Sequence, residues 1–262
     1  MEMYNVSSLV IFVATILIVV AAIEIGYRFG DRIRTASKQE KESPVSAIVG
    51  SILGLLAFIL AFTFSMVTER FDARKALVRE EASALRNVWL RTDFLPDSNR
   101  DEVARLLRSY IDHRINVLQL YQSDHLAEVL DSSERIQKRL WDMAVTNARV
   151  DMNSDVAALY IEALNEMINV RAMRITLGLH TRLPMGIWLI LYMLVFLSMA
   201  GVGYQTAIVG SRRSWSTLIL AISFSLVIAL ISILDRPYSR FLAVPQDPLQ
   251  EVLMIMDGNF KK

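Results

Sequence analysis

Four stretches of this chain run without a charged side chain. Val6–Ile23 is uncharged for 18 residues, Ser43–Thr68 for 26, Leu183–Ser211 for 29 and Ser214–Leu234 for 21. A helix needs about 20 apolar residues to cross a bilayer core of roughly 30 Å. Buried helices of a large soluble protein are amphipathic or shorter. The runs therefore predict four transmembrane helices, at about residues 6–27, 45–68, 184–209 and 215–235. The composition, 53% hydrophobic with a mean hydropathy of +0.37, is richer in apolar residues than a soluble domain. The first run has only Glu2 ahead of it, not the basic segment of a signal peptide, and reads as a retained anchor.

The spans come as two pairs. Residues 1–68 hold the first pair, 69–182 an extramembrane domain, 183–235 the second pair and 236–262 a C-terminal tail. Leu55–Leu95 contains neither Gly nor Pro, so the second span is expected to continue into water as one rod of roughly 60 Å. Pro96 is expected to end it, with Ser98 or Asn99 capping the next helix. Val103, Leu106, Leu107, Tyr110 and Ile111 then recur at helical spacing. Further helices are predicted over about Asp131–Arg149 and from about Asn153–Asp155 to Gly178, with Pro184 opening the third span. No strand pattern is present. The fold class is an all-α membrane protein of four spans with a helical bundle inserted between the second and third.

The short loops carry the positive charge: Arg28, Arg32, Arg34, Lys38 and Lys41 in one, Arg212 and Arg213 in the other. By the positive-inside rule this places the helical domain outside the cytoplasm, against the contrary pull of Arg70, Arg74, Lys75 and Arg79 just past the second span.

Within the second span, Ser46, Gly50, Gly54, Ala57 and Ala61 fall on one narrow arc, a spacing that lets helix backbones approach closely. Beside it lie Ser51, Leu55, Phe58, Phe62, Ser65 and Glu69. Either both faces pack inside one subunit, or the small arc meets a neighbouring subunit while the Phe and Ser stripe lines a pore that gates by dewetting. The segment after it, with Arg70, Asp72 and Arg74, is either a salt-bridged helix exit or a charged pore mouth, Asp72 pairing with Lys75. Glu24 is an acid at membrane depth, one turn from Arg28 and matched to it as an i,i+4 pair. At the fourth span's exit, Asp235 is expected to pair with Arg236, Arg70 or Arg182, Pro237 to stop the helix, and Arg236 and Arg240 to sit at headgroup level.

Enzymatic constellations are not found. His113, His125 and His180 are scattered, without metal-ligand spacing, and there is no phosphate loop or nucleophile elbow. Glu80-Glu81 and Asp101-Glu102 read as solvated helix faces. Cysteine is absent, which excludes disulfides and thiolate chemistry, and a net charge of +1 argues against nucleic acid. No cofactor and no metal are expected.

The segments Leu60–Pro96, Ala158–Arg171, "RLPMGIW" (Arg182–Trp188) and "LDRPYSRFLAVPQDPL" (Leu234–Leu249) together resemble the bestrophin-like domain family of bacterial membrane proteins. The resemblance runs from about Val45 to Leu249. Where the family pattern leads one to expect Gly after "LDRPYS", this chain has Arg240. The resemblance implies kinship with bestrophins: pentameric ion channels with four spans per subunit, a neck lined by the second span, and a cytoplasmic helical domain. It further implies a homo-oligomer in the bacterial inner membrane, whose partners are the lipid bilayer and small inorganic ions. The competing expectations are a non-conducting scaffold or sensor acting through the helical domain, and a proton-driven stator subunit that would need Glu24 on the ion path.

Overall fold

The computed structural model of the protein describes residues 8–36, 42–120, 126–210, 215–236 and 242–258. Lys38, Lys41, His125, Arg212, Arg213, Pro237 and Arg240, with the side chain of His180, lie outside the described residues. Among the described residues eight α-helices follow in order: α1 (Ser8–Ala36), α2 (Glu42–Arg91), α3 (Asp97–Leu120), α4 (Leu126–Ala148), α5 (Asp155–Ile175), α6 (Met185–Ile208), α7 (Trp215–Asp235) and α8 (Asp247–Met256). No strand occurs among the described residues. Among the described residues four helices are long and apolar enough to cross a membrane: α1, α2, α6 and α7. The protein is a multi-pass, all-α membrane protein.

The chain divides into two compact units. One comprises Met1–Arg70 with Arg182–Phe241, the other Phe71–Thr181 with Leu242–Lys262. The helix α2 is shared, belonging to the first unit up to Arg70 and to the second from Phe71.

In the first unit α1 crosses α6 at backbone contact. A Cβ built on Gly26 would overlap the Ala200 carbonyl, one on Gly30 would sit 2.8 Å from the Tyr204 carbonyl oxygen, and one on Gly203 would overlap the Ile23 carbonyl. Lipid tails are as apolar as leucine, so helices associate in a bilayer through close packing and interhelical hydrogen bonds, and glycine permits the closest approach. Thr15 and Tyr192 share a hydrogen bond at 3.1 Å across the same pair of helices. Val19 and Ala22 of α1, Leu56 and Val67 of α2, Leu191 and Val195 of α6, and Ile228 and Ile231 of α7 are buried.

In the second unit the apolar stripes meet in one core. It includes Leu85 and Val88 of α2, Leu107, Tyr110 and Ile111 of α3, Leu140 of α4, Tyr160 and Leu164 of α5, and Leu249 and Val252 of α8. The last helix departs from the sequence reading, which left 236–262 as a tail. Its Pro at the first turn and its Leu249, Val252, Leu253, Met256 spacing make it an amphipathic helix that covers this core. Two boundaries also differ. The α-helical part of α2 stops at Arg91 and tightens into a 3₁₀ turn, Thr92–Phe94, ahead of Pro96. The next helix begins at Asp97, directly behind the proline, and Asn99 donates to Asn147 Oδ1 at 2.8 Å. Tertiary pairing thus takes the side chain expected as a cap. Ser154 does cap α5, its Oγ accepting from the Ala157 N–H at 3.2 Å.

Candidate functional site

The membrane part of α2 buries one face and leaves the other uncovered. Val49, Leu56, Leu60, Thr63 and Val67 recur at helical spacing and are buried. The opposite side carries every residue of the two arcs read from the sequence. Ser46, Gly50, Gly54, Ala57 and Ala61 are exposed within the chain, as are Ser51, Leu55, Phe58, Phe62, Ser65 and Glu69. Phe58 is 67% and Phe62 59% exposed. A Cβ placed on Gly50 or Gly54 meets nothing within 4 Å. Within the single chain both arcs are thus left exposed.

Exposed apolar side chains also cover α1, α6 and α7, as a lipid-facing surface requires; Leu17, Leu189 and Leu226 are examples. The α2 stripe adds two serines and a carboxylate, and α7 has an exposed serine of its own, Ser223, bonded back to the Ile219 carbonyl at 2.9 Å. Ser51 bonds back to the Ala47 carbonyl at 2.9 Å, and Ser65 donates to Glu69 Oε1 at 3.5 Å. Hydroxyls and a carboxylate on an outward face are costly against hydrocarbon. Next to the small arc, Ala57, Ala61 and Phe64 of α2 and Phe224, Val227 and Leu230 of α7 border an open apolar concavity of about 450 Å³. Ser46 is the one arc member with an interhelical bond, accepting from Gln205 Nε2 at 3.1 Å.

At the membrane boundary of the first unit, Asp235 accepts the Leu183 N–H at 2.9 Å and pairs with Arg70 at 3.7 Å. Arg70 is one of the three partners offered from sequence. Glu24 pairs with Arg28 at 2.7 Å. In the second unit Asp72 pairs with Lys75 at 3.6 Å, and Arg74 is buried.

The sequence reading of Glu80-Glu81 as a solvated face fails for its second member. Glu80 is exposed, but Glu81 is completely buried. Arg114 Nε donates to its Oε1 at 2.7 Å and Nη2 to Oε2 at 3.3 Å. Arg174 Nη1 also donates to Oε2, and Tyr110 donates to Oε1 at 3.1 Å. Arg174 in turn reaches Gln246 Oε1 at 2.5 Å, which ties the segment before α8 into the centre. Burial alone would raise the Glu81 pKa, but the guanidiniums of Arg114 and then Arg174 outweigh it and hold the carboxyl down to about 2. Burial, reinforced by the Glu81 charge, pushes Tyr110 upward, so it stays a neutral donor. No sequence signal marks this centre, because its parts come from α2, α3, α5 and the segment before α8. No group of three or more metal-ligating side chains occurs among the described residues.

Fold and site define a class: an all-helical protein with four membrane-crossing helices and a helical extramembrane unit held by a buried ionic centre. The bestrophin-like domain model matches residues 11–249, and the chain belongs to that family. Among solved structures it is similar to a bacterial bestrophin homologue from Klebsiella pneumoniae, at 18% identity and a TM-score of 0.66, covering 97% of this chain and 99% of that one. A point variant of that homologue matches at 18% identity and a TM-score of 0.61, covering 96% and 98%. Likeness at this identity speaks for the fold alone. No curated protein matches the sequence.

Proposed function

We propose that the protein is a homo-oligomeric ion channel whose pore is lined by α2. The observation that carries this reading is the uncovered α2 face, with two phenylalanine rings, two serines and Glu69 along one stripe and two glycines beside it. In an oligomer the small arc, Ser46, Gly50, Gly54, Ala57 and Ala61, seats a neighbouring subunit's helix. Ser51, Leu55, Phe58, Phe62, Ser65 and Glu69 then face a common axis. Rings of Phe58 and Phe62 form an apolar constriction that conducts or blocks according to whether water fills it. Arg70, Asp72, Arg74, Asp235 and Arg236 supply charge at the pore mouth or the subunit interface. Family membership supports an ion-channel kind of function and, with it, a role without catalysis.

The bestrophin kinship favours a pentamer in the bacterial inner membrane with the helical unit in the cytoplasm. Arg70, Arg74, Lys75 and Arg79 beside the second span suit that side, while the positive charge of the short loops favours the opposite orientation. A proton-driven stator is disfavoured because Glu24 is engaged by Arg28.

Liposome flux with purified protein tests the reading. Phe58→Ala and Phe62→Ala are expected to raise ion flux several-fold by widening and wetting the constriction. Gly54→Val, whose Cβ meets nothing within 4 Å, is expected to dissociate the oligomer while leaving the subunit helical. Absence of flux from wild type and from both Phe variants, under several ion gradients, refutes conduction.

A further inference from the structure

A second cavity of the first unit, about 370 Å³, opens where α6 begins and α7 ends. Ile11, Met185, Trp188 and Leu189 give it an apolar lining, and Arg182 and Arg236 also border it. Trp188 and Tyr192 stack with ring centres 6.2 Å apart, an aromatic pair of the kind that sits at headgroup depth. Among the described lining residues Asp235 is the single acid, and it binds the Leu183 N–H and pairs with Arg70. Among the described residues the cavity lining thus holds two guanidiniums and one carboxylate. Burial lowers the Arg236 pKa, the Arg182 charge lowers it further, and Asp235 opposes both, so the two cations feel each other.

We propose that this cavity binds an anionic phospholipid, its phosphate held between Arg182 and Arg236 and the upper part of an acyl chain lying on Trp188 and Leu189. Guanidinium forks match phosphate oxygens in pairs, and a phosphate there relieves the repulsion between the two arginines. The apolar lining selects a lipid over free phosphate, which would leave that surface uncovered. The site places Arg236 at a lipid-facing edge of the subunit rather than at the pore mouth, and lipid binding is read without any flux measurement.

Native mass spectrometry of the detergent-purified oligomer tests it, with dioleoyl phosphatidylglycerol and dioleoyl phosphatidylcholine as probes. Phosphatidylglycerol is expected to bind roughly thirty-fold more tightly, the weight of two arginines facing an anionic headgroup. The double variant Arg182→Gln, Arg236→Gln should lose that preference. Leu189→Trp keeps both arginines, fills the cavity from an exposed position, and should weaken both lipids. Millimolar inorganic phosphate should not displace the bound lipid. Equal binding of the two lipids, no binding of either, indifference to both sets of substitutions, or displacement by phosphate would each overturn the proposal.

Discussion

Glu81→Gln is expected to lower the unfolding midpoint of the purified protein by about 10 °C. The substitution takes the Glu81 carboxylate away from Arg114, whose side chain is 3% exposed, and from Arg174, at 11%. Removing one member of a buried ion pair costs about 3–5 kcal/mol, and for a chain of this size each kcal/mol shifts the midpoint by about 2–4 °C. Adding Arg114→Met is expected to recover part of the loss, since a stranded guanidinium costs more than an apolar replacement of the pair. The same carboxyl sets an acid limb. Its pKa is about 2 in the folded chain against an ordinary 4.5, so its contribution is fully present above pH 4.5 and is lost as pH falls from there through 2. The contribution is of the order of 3 kcal/mol at neutral pH. Circular dichroism melts from pH 7 to pH 2 should show stability falling in that window for wild type, and much less for Glu81→Gln. A shift under 2 °C at neutral pH, or identical acid limbs, would show that Glu81 does not hold this unit together.

Gly203→Val is expected to destroy the first unit. Its Cβ would overlap the Ile23 carbonyl and stand 2.9 Å from the Tyr27 backbone nitrogen, and neither backbone group can rotate away as a flexible side chain does. The two helices must separate, at a cost of more than about 3 kcal/mol. Gly26→Val acts from the other side, against Ala200. Both variants should reduce the monodisperse fraction in size-exclusion chromatography at least ten-fold. Gly186→Ala, whose Cβ meets nothing within 4 Å, should leave it unchanged. A normal oligomer peak from Gly203→Val would mean that α1 and α6 do not cross at these glycines.

Two pairs of glycines show how far the chain can be read before it folds. Gly26 and Gly30 have the same four-residue separation as Gly50 and Gly54. Spacing marks a face where a helix can approach, but it does not name the helix. In the fold Gly26 and Gly30 lie against the α6 backbone, while Gly50 and Gly54 face open space in the single chain. Sequence reasoning turned to the second pair and passed over the first. The acids behave alike: Glu80 and Glu81 are neighbours in one charged helix, yet the first is exposed and the second sealed by arginines 33 and 93 residues away. The final helix was legible in principle, since Leu249, Val252, Leu253 and Met256 repeat at helical spacing behind a proline.

What the amino-acid sequence determined by itself was the number of spans, the all-helical class, the long second helix and the family. Each follows from local rules: a bilayer demands apolar length, and a helix free of Gly and Pro has no reason to stop. The tertiary structure alone decided which small residues meet a backbone and which carboxylate is buried. Those outcomes depend on groups brought from distant parts of the chain, and burial is a property of the neighbours rather than of the residue.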